Sequence, residues 1–299
     1  MPAMIRMYLE LIRFSHTLFA LPFAFLSAIM AYSASPVAIP IVRYFVGVLL
    51  CMVFARSAAM SFNRWADRKI DALNPRTSKR HLPDGRISPR AVLLFTIVCS
   101  VGFVASTCLF LPDNPIPVAC SIPVLLFLLS YSYAKRWTAG AHFWLGISLM
   151  LAPIAAWVAI LPQFSFAPIV LALAVLFWSS GFDIIYATQD HDFDVKMKLY
   201  SIPAKFGIVR SLLIAAACHI LTLVLLYILP LVYSAFGWIY YTGFAVITVM
   251  LIAEHIVIRP GKHANGNTIN LDRVNLSFFY LNAIISVGLL VIGILDIIW

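Results

Sequence analysis

A chain of 299 residues with 63% hydrophobic and only 11% charged side chains is not composed like a soluble globular domain, in which about 25% of residues are charged. The solvent that fits this composition is lipid. The net charge of +9 does not mark a nucleic-acid binder, because the cations are spread over loops between apolar runs.

The first apolar run, 15–34, has basic residues before it and small residues near Ala34, a pattern shared with secretory signals. It is long for a signal, so an uncleaved first helix is predicted, with His16 and Thr17 as its entry cap. The second run, 41–62, leads into NRWADRKID at 63–71 and a basic loop at 72–89. Runs at 90–111 and 116–133 precede the basic pair Lys135 and Arg136. Runs at 141–161 and 166–186 lead to DIIYATQDHDFD at 183–194 and a second long loop, 187–207. The last three runs cover 208–230, 233–258 and 275–298. Each is near the roughly 20 apolar residues that cross a bilayer. The expected fold is therefore all-α: a polytopic membrane protein whose nine transmembrane helices form one bundle with a central cavity opening to the cytoplasmic side. Residues 1–299 are read as a single integral membrane domain. RHLP at 80–83 and SIPAKFG at 201–207 follow the two polar helix ends, which suggests a parallel repeat of helices 1–4 and 5–8. Cys51, Cys99, Cys108, Cys120 and Cys218 all fall inside predicted helices and are read as small packing residues.

With nine spans, the N-terminus and the loops after spans 2, 4, 6 and 8 share one side. All of the 21 basic residues except Arg43 and Arg56 fall there, including Arg259, Lys262 and Arg273 after span 8. The positive-inside rule makes that side cytoplasmic. The opposite loops SASPVAIP, LPDNPIP and LPQFSF are short and only turn the chain. Tyr131 and Tyr133, just before Lys135, are read as interfacial anchors.

Of twelve acidic residues, six lie in the two polar stretches: Asp67, Asp71, Asp183, Asp190, Asp192 and Asp194. In helical register Asn63, Asp67 and Asp71 share one face, with Arg56 two turns earlier on it. Asp183, Asp190 and Asp194 define a second face with Tyr186 close to it, while Asp192 points away. Stacked like charges destabilise a helix, and charges near hydrocarbon are costly unless paired or hydrated. A divalent cation relieves both problems. Mg²⁺ takes oxygen ligands and binds through one or two carboxylates plus a substrate phosphate. Two such faces with lysines and arginines around them suit a metal–diphosphate complex. The alternative is a set of helix-end charges paired with Arg64, Arg68 and Lys69; two acidic faces on one side favour the metal.

NRWADRKIDALNPRTSKRHLP and DIIYATQDHDFDVKMKLYSIPAKFG resemble the two signature motifs of the UbiA superfamily of intramembrane prenyltransferases. The first matches Asn-x-x-x-Asp-x-x-x-Asp followed by an Arg-x-x-Leu-Pro-like loop; the second matches Tyr-Ala-x-x-Asp-x-x-x-Asp. The resemblance covers most of the chain and is closest to enzymes that prenylate 4-hydroxybenzoate on the ubiquinone route. Some relatives act instead on dihydroxynaphthoate, on a menaquinone route. Arg64 stands where many members carry Asp, and Phe193 where a further Asp is frequent. The resemblance implies that Mg²⁺, held by Asn63, Asp67, Asp71, Asp190 and Asp194, binds a polyprenyl diphosphate. It also implies that Arg80, Lys135 and either Lys79 or Arg136 neutralise the leaving diphosphate. The allylic cation then attacks an aromatic acid inside a dry cavity at the bilayer. Asp183 is the candidate for orienting the acceptor or taking its proton. Arg56 has two readings: it grips the acceptor carboxylate, or it pairs with Asp183 in a buried ion pair. The loop NPRTSKRHLPDGRISP is expected to order as a lid when diphosphate binds.

Two other functions fit part of the pattern. A transporter also carries intramembrane acids, but near the midplane and beside broken helices. Here most acids gather at one face. Phospholipid-headgroup transfer also uses aspartates and Mg²⁺, but its Gly-rich Asp-Gly…Ala-Arg pattern is missing.

Overall fold

The computed structural model describes residues 3–36, 40–258, 261–263, 266–268, 274 and 277–299. In chain order its helices are α1 (Ala3–Leu11), α2 (Leu21–Ala34), α3 (Ile41–Leu73), α4 (Pro89–Thr107), α5 (Ile116–Ala134), α6 (Ala141–Ile160), α7 (Phe166–Ala187), α8 (His191–Lys196), α9 (Ile202–Phe206), α10 (Ile208–Val232), α11 (Trp238–Val257) and α12 (Asn282–Ile298). A short antiparallel hairpin, β1 (Gly261–His263) with β2 (Gly266–Thr268), sits between α11 and α12. Arg259, Arg273 and the side chains of His16 and Lys262 lie outside the described residues.

Among the described residues, eight helices are long and apolar enough to cross a membrane. The chain is an all-α integral membrane protein. The first predicted span is shorter than expected. Residues 15–34 divide into a 3-10 turn, Phe14–Phe19, and the 14-residue α2. Pro22 lies in the first turn of α2, where its missing N–H costs nothing and its fixed φ suits a helix start. At about 1.5 Å per residue α2 is roughly 21 Å long, less than the roughly 30 Å hydrocarbon core. Thr17 is buried inside the 3-10 turn, and the residue that enters α2 is Ala20, with no side-chain cap. The entry-cap role expected of Thr17 is therefore absent. The five cysteines are free thiols.

Three other helix starts do use side-chain caps. Ser88 accepts from the Ala91 N–H ahead of α4, with Pro89 in the first turn. Ser165 accepts from Ala167 N–H ahead of α7. Ser201 accepts from Ala204 N–H ahead of α9, which also carries Pro203 in its first turn. Each serine satisfies an N–H that has no partner within the helix.

The chain divides into two compact units, Met1–Thr17 with Pro40–Tyr133, and Leu18–Ile39 with Ala134–Trp299. In the first, α3 packs along α4. Ala55, Ala58, Cys99, Phe103 and Leu125 form its apolar core, and Ser61 and Thr96 share a buried 2.8 Å hydrogen bond between the two helices. A second cluster, Leu11, Leu82, Ile87 and Val92, seats α1 and the 74–88 loop on α4.

In the second unit, α7 packs against both α6 and α10, α2 lies on α6, and α12 contacts α2 and α11. Trp178 of α7 is fully buried among Phe19, Phe23 and Phe182. Gly146 lets α6 approach α7 closely: a Cβ there would lie 2.7 Å from the Leu176 carbonyl oxygen and closer still to Ser180 Oγ. Small residues at such crossings are how helices gain van der Waals contact in lipid, where no hydrophobic force drives them together. This crossing fixes His142 of α6 opposite Asp183 of α7.

Candidate functional site

The first acidic face is an unbroken helix. α3 runs past the apolar stretch to Leu73, so Asn63, Asp67 and Asp71 keep the register their spacing suggests. Asp67 is 2% and Asp71 6% exposed. Asn63 Nδ2 donates to Asp67 Oδ2 at 3.3 Å, which leaves the Asn63 amide oxygen beside a buried carboxylate. Asp71 Oδ2 accepts from an Arg80 terminal nitrogen at 2.8 Å, and Thr77 Oγ1 donates to the Asp71 carbonyl at 2.9 Å. Arg80, expected only to meet a leaving group, is thus also the partner that holds Asp71. Burial pulls the Arg80 guanidinium below its ordinary value, with Arg76 and Arg13 adding to the effect and Asp71 opposing it.

The loop after α3 is tied down along its length. Asn74 Oδ1 accepts from Arg76 N–H, an Asx turn that ends the helix. Arg86 donates to the Lys79 carbonyl at 2.6 Å, and Leu82 and Ile87 are buried. The fold of this loop opens a cavity of about 260 Å³. Its charged lining is Arg13, Arg64, Lys79, Arg80 and Arg86 against one carboxylate, Glu10. Glu10 is already engaged by Arg6 at 2.8 Å and by His81 at 3.0 Å, and those contacts hold its carboxyl below the usual range, Arg6 contributing most. Arg80 is bridged to Asp71 and Arg86 to Asp84, each at 2.8 Å, and the cations that line this half-open pocket still outnumber its carboxylates, a balance that suits an anion.

Further back on α3, Arg56 is half-buried, and its Nε has no hydrogen-bond partner among the described residues. An unpaired buried guanidinium donor is expensive. Tyr133 packs edge-on to Phe62 at 5.9 Å.

The second acidic stretch differs from its expected form. α7 stops at Ala187, a 3-10 turn covers Thr188–Asp190, and α8 begins at His191. A 3-10 turn has 3.0 residues per turn, not 3.6, so Asp183, Asp190 and Asp194 do not share one continuous α-helical register. The cause is local: Thr188 Oγ1 donates to the Ile185 carbonyl at 2.6 Å, and the tightened turn satisfies carbonyls that end α7. Asp192 is fully exposed and pairs with His191, in line with its expected outward direction.

Asp194 Oδ2 accepts from Ser201 Oγ at 2.8 Å, and Asp190 and Lys135 are among the charges that act on it. Lys135 also gives its carbonyl to Tyr200 N–H at 2.8 Å, which ties the basic loop after α5 to the segment carrying the second motif. Arg136 is exposed, and Tyr186 packs on the core cluster around Ile184 and Ile185. Asp183 takes a 2.7 Å hydrogen bond from His142 Nδ1. Asp183 thus has a histidine partner within its own unit. Spacing gave no hint of His142, which lies 41 residues from its partner; the available signal was a histidine in the first turn of an apolar helix.

The candidate donor set, Asn63, Asp67, Asp71, Asp190 and Asp194, fits Mg²⁺: carboxylates and one amide, all oxygen, while His191, the imidazole within the second motif, is engaged by the exposed Asp192. Among the described residues no group of three or more His, Cys, Asp or Glu side chains converges tightly enough to hold an ion alone.

Residues 20–282 match the model of the UbiA prenyltransferase family. The chain belongs to this family. Among relatives, the 4-hydroxybenzoate octaprenyltransferase of Vibrio vulnificus is 30% identical over 211 residues, 70% of this chain and 72% of that protein. The enzyme of the same name from Nitrosomonas eutropha is 31% identical over 221 residues, 72% and 74% of the two chains. Of solved structures, an apo UbiA homolog from Aeropyrum pernix superposes with a TM-score of 0.80 at 30% identity, covering 95% of this chain and 98% of that one. A UbiA homolog from Archaeoglobus fulgidus bound to DMAPP and Mg²⁺ shares the fold with a TM-score of 0.70 at 23% identity, covering 97% and 98%.

Proposed function

We propose that this UbiA family member transfers a polyprenyl group from a polyprenyl diphosphate to a hydroxylated aromatic acid of the 4-hydroxybenzoate type, in respiratory quinone biosynthesis. The observation that carries this reading is the pairing, within one unit, of a buried oxygen-only donor set on α3 with a cavity lined by five cations. Relatives named for 4-hydroxybenzoate, near 30% identity, support the acceptor class. The A. fulgidus structure with DMAPP and Mg²⁺ supports the choice of ligands.

In this reading Asn63, Asp67 and Asp71, with Asp190 and Asp194, hold Mg²⁺ and through it the diphosphate. When bound, Mg²⁺ supplies neutralisation of the charge that builds on the departing diphosphate. Lys79, Arg80, Lys135 and Arg136 bind the diphosphate oxygens, and the Arg80–Asp71 bridge presets the guanidinium plane. The allylic C–O bond breaks, a C–C bond forms to the acceptor ring, and the ring loses a proton. Asp183 orients the acceptor or takes that proton, Tyr186 helps line the acceptor pocket, and apolar helix walls exclude water from the cation. Residues 1–299 act as one integral membrane prenyltransferase domain, with its site on the cytoplasmic side indicated by the basic loops.

The test is an assay of purified protein with geranyl diphosphate and a panel of aromatic acids, read by mass spectrometry. Prenylated 4-hydroxybenzoate is the expected product. Product from dihydroxynaphthoate alone would move the acceptor to the menaquinone route, and no product from any acid would end the reading.

The orphaned donor of Arg56 is matched by an acceptor carboxylate. Arg56→Ala is expected to raise the acceptor KM by about 10- to 100-fold, from the roughly 1.5–3 kcal/mol of a hydrogen bond to a charged group. The prenyl-diphosphate KM should change little; equal rises in both would assign Arg56 to structure alone.

A further inference from the structure

His142 lies outside both motifs, yet it touches groups tied to each end of the second one. It is 5% exposed, and its two ring nitrogens have different duties. Nε2 accepts a hydrogen bond from the Ile202 N–H at 3.3 Å. The ring proton therefore lies on Nδ1, which donates to Asp183 Oδ2 at 2.7 Å. Ile202 follows Ser201, the residue that caps α9 and donates to Asp194 Oδ2 at 2.8 Å. A continuous path results: Asp183, the His142 ring, the Ser201–Ile202 turn, Asp194. Backbone bonds brace it, from Leu199 N–H to the Asp194 carbonyl and from Tyr200 N–H to the Lys135 carbonyl. The ring is held at its own end too, since Ser180 Oγ donates to the His142 carbonyl at 3.3 Å and the α6–α7 crossing at Gly146 leaves no slack.

We propose that His142 is a positioning residue with two separable functions. Through Nδ1–H it fixes the Asp183 carboxylate in one orientation for the aromatic acceptor. Through Nε2 it fixes the Ser201–Ile202 turn that holds the metal-side carboxylate Asp194. The acceptor and metal assignments rest on the function proposed above; the hydrogen-bonded path itself does not.

The two functions separate with two substitutions. In His142→Asn the side-chain amide nitrogen falls where Nδ1 lies, so the donor to Asp183 is kept and the acceptor for Ile202 is lost. In His142→Gln the amide oxygen falls where Nε2 lies, so the acceptor is kept and the donor to Asp183 is lost. Supporting bonds of this kind are worth about 10- to 100-fold in activity or metal affinity. His142→Gln is therefore expected to lower kcat/KM for the aromatic acid by about 10- to 100-fold and to leave half-maximal Mg²⁺ within about threefold. His142→Asn is expected to do the reverse, raising half-maximal Mg²⁺ by about 10-fold with the acceptor KM nearly unchanged. Equal losses in both parameters for both variants would reduce His142 to packing and overturn the proposal.

A second measurement needs no substrate. Melting temperatures of the detergent-solubilised wild type, His142→Gln, Asp183→Asn and the double variant form a double-mutant cycle. A double-variant loss smaller than the sum of the single losses is expected, and additive losses would break the path between the two residues. If the cycle shows coupling while the wild type turns over no aromatic acid, the path stands and the proposed reaction falls. If wild-type turnover is found with additive melting losses, the reverse holds.

Discussion

Asp67→Asn is expected to lower turnover by roughly 10³-fold while the protein still folds and inserts. Asp67 is almost fully buried, and Asn63 donates to one of its oxygens. Asparagine has the same shape and keeps an oxygen to accept that bond, so packing is preserved and only the negative charge is removed. Asp190→Asn should behave alike from the second motif, because its carboxylate also gives charge that an amide lacks. The check is kcat for each purified variant next to its melting temperature and elution profile. A folded Asp67→Asn protein with near wild-type kcat would remove this carboxylate from the chemistry.

Chelation is expected to have a comparable effect. EDTA should abolish turnover, and added Mg²⁺ should restore it. Ca²⁺ should restore it poorly, because Ca²⁺ takes six to eight ligands in loose geometry while Mg²⁺ demands a near-octahedral set. A binding readout accompanies the rate. Mg²⁺ with inorganic diphosphate should raise the melting temperature of the metal-free protein more than either alone, since a ligand that binds only the folded state stabilises it. Turnover that survives exhaustive chelation would exclude the metal from the reaction, whatever the melting data show.

Most of the architecture was legible because hydrocarbon leaves few options. An apolar run of bilayer length in lipid is a helix, since its backbone polar groups have no other partners there, and the runs from 41–62 onward each correspond to an observed helix. The length of α3 beyond residue 62 was legible too, as four-residue spacing of Asn63, Asp67 and Asp71 is meaningful only on a helix. Where reading failed, competing local bonds had won. The 3-10 turn at Thr188–Asp190 follows from one threonine hydroxyl bonding back to the helix, an option that periodicity does not register. The break before α2 follows from Pro22, yet residues 14–19 form a 3-10 turn that the apolar run concealed. His142 was missed for another reason: its partners are 41 and 60 residues away, and only the close crossing at Gly146 brings the first of them near.

The length of α3 has a consequence for where two dissimilar reactants can meet. At about 1.5 Å per residue its apolar portion, Ile41 to Phe62, extends roughly 32 Å, enough for a hydrocarbon core of about 30 Å. With that portion filling the hydrocarbon core, the remaining turns, with Asn63, Asp67 and Asp71, would stand at the depth of phospholipid headgroups. For the reaction proposed above, that depth would let a greasy isoprenoid stay dissolved among acyl chains while its charged end, and a small molecule arriving from the aqueous phase, both reach these side chains without either having to change solvent.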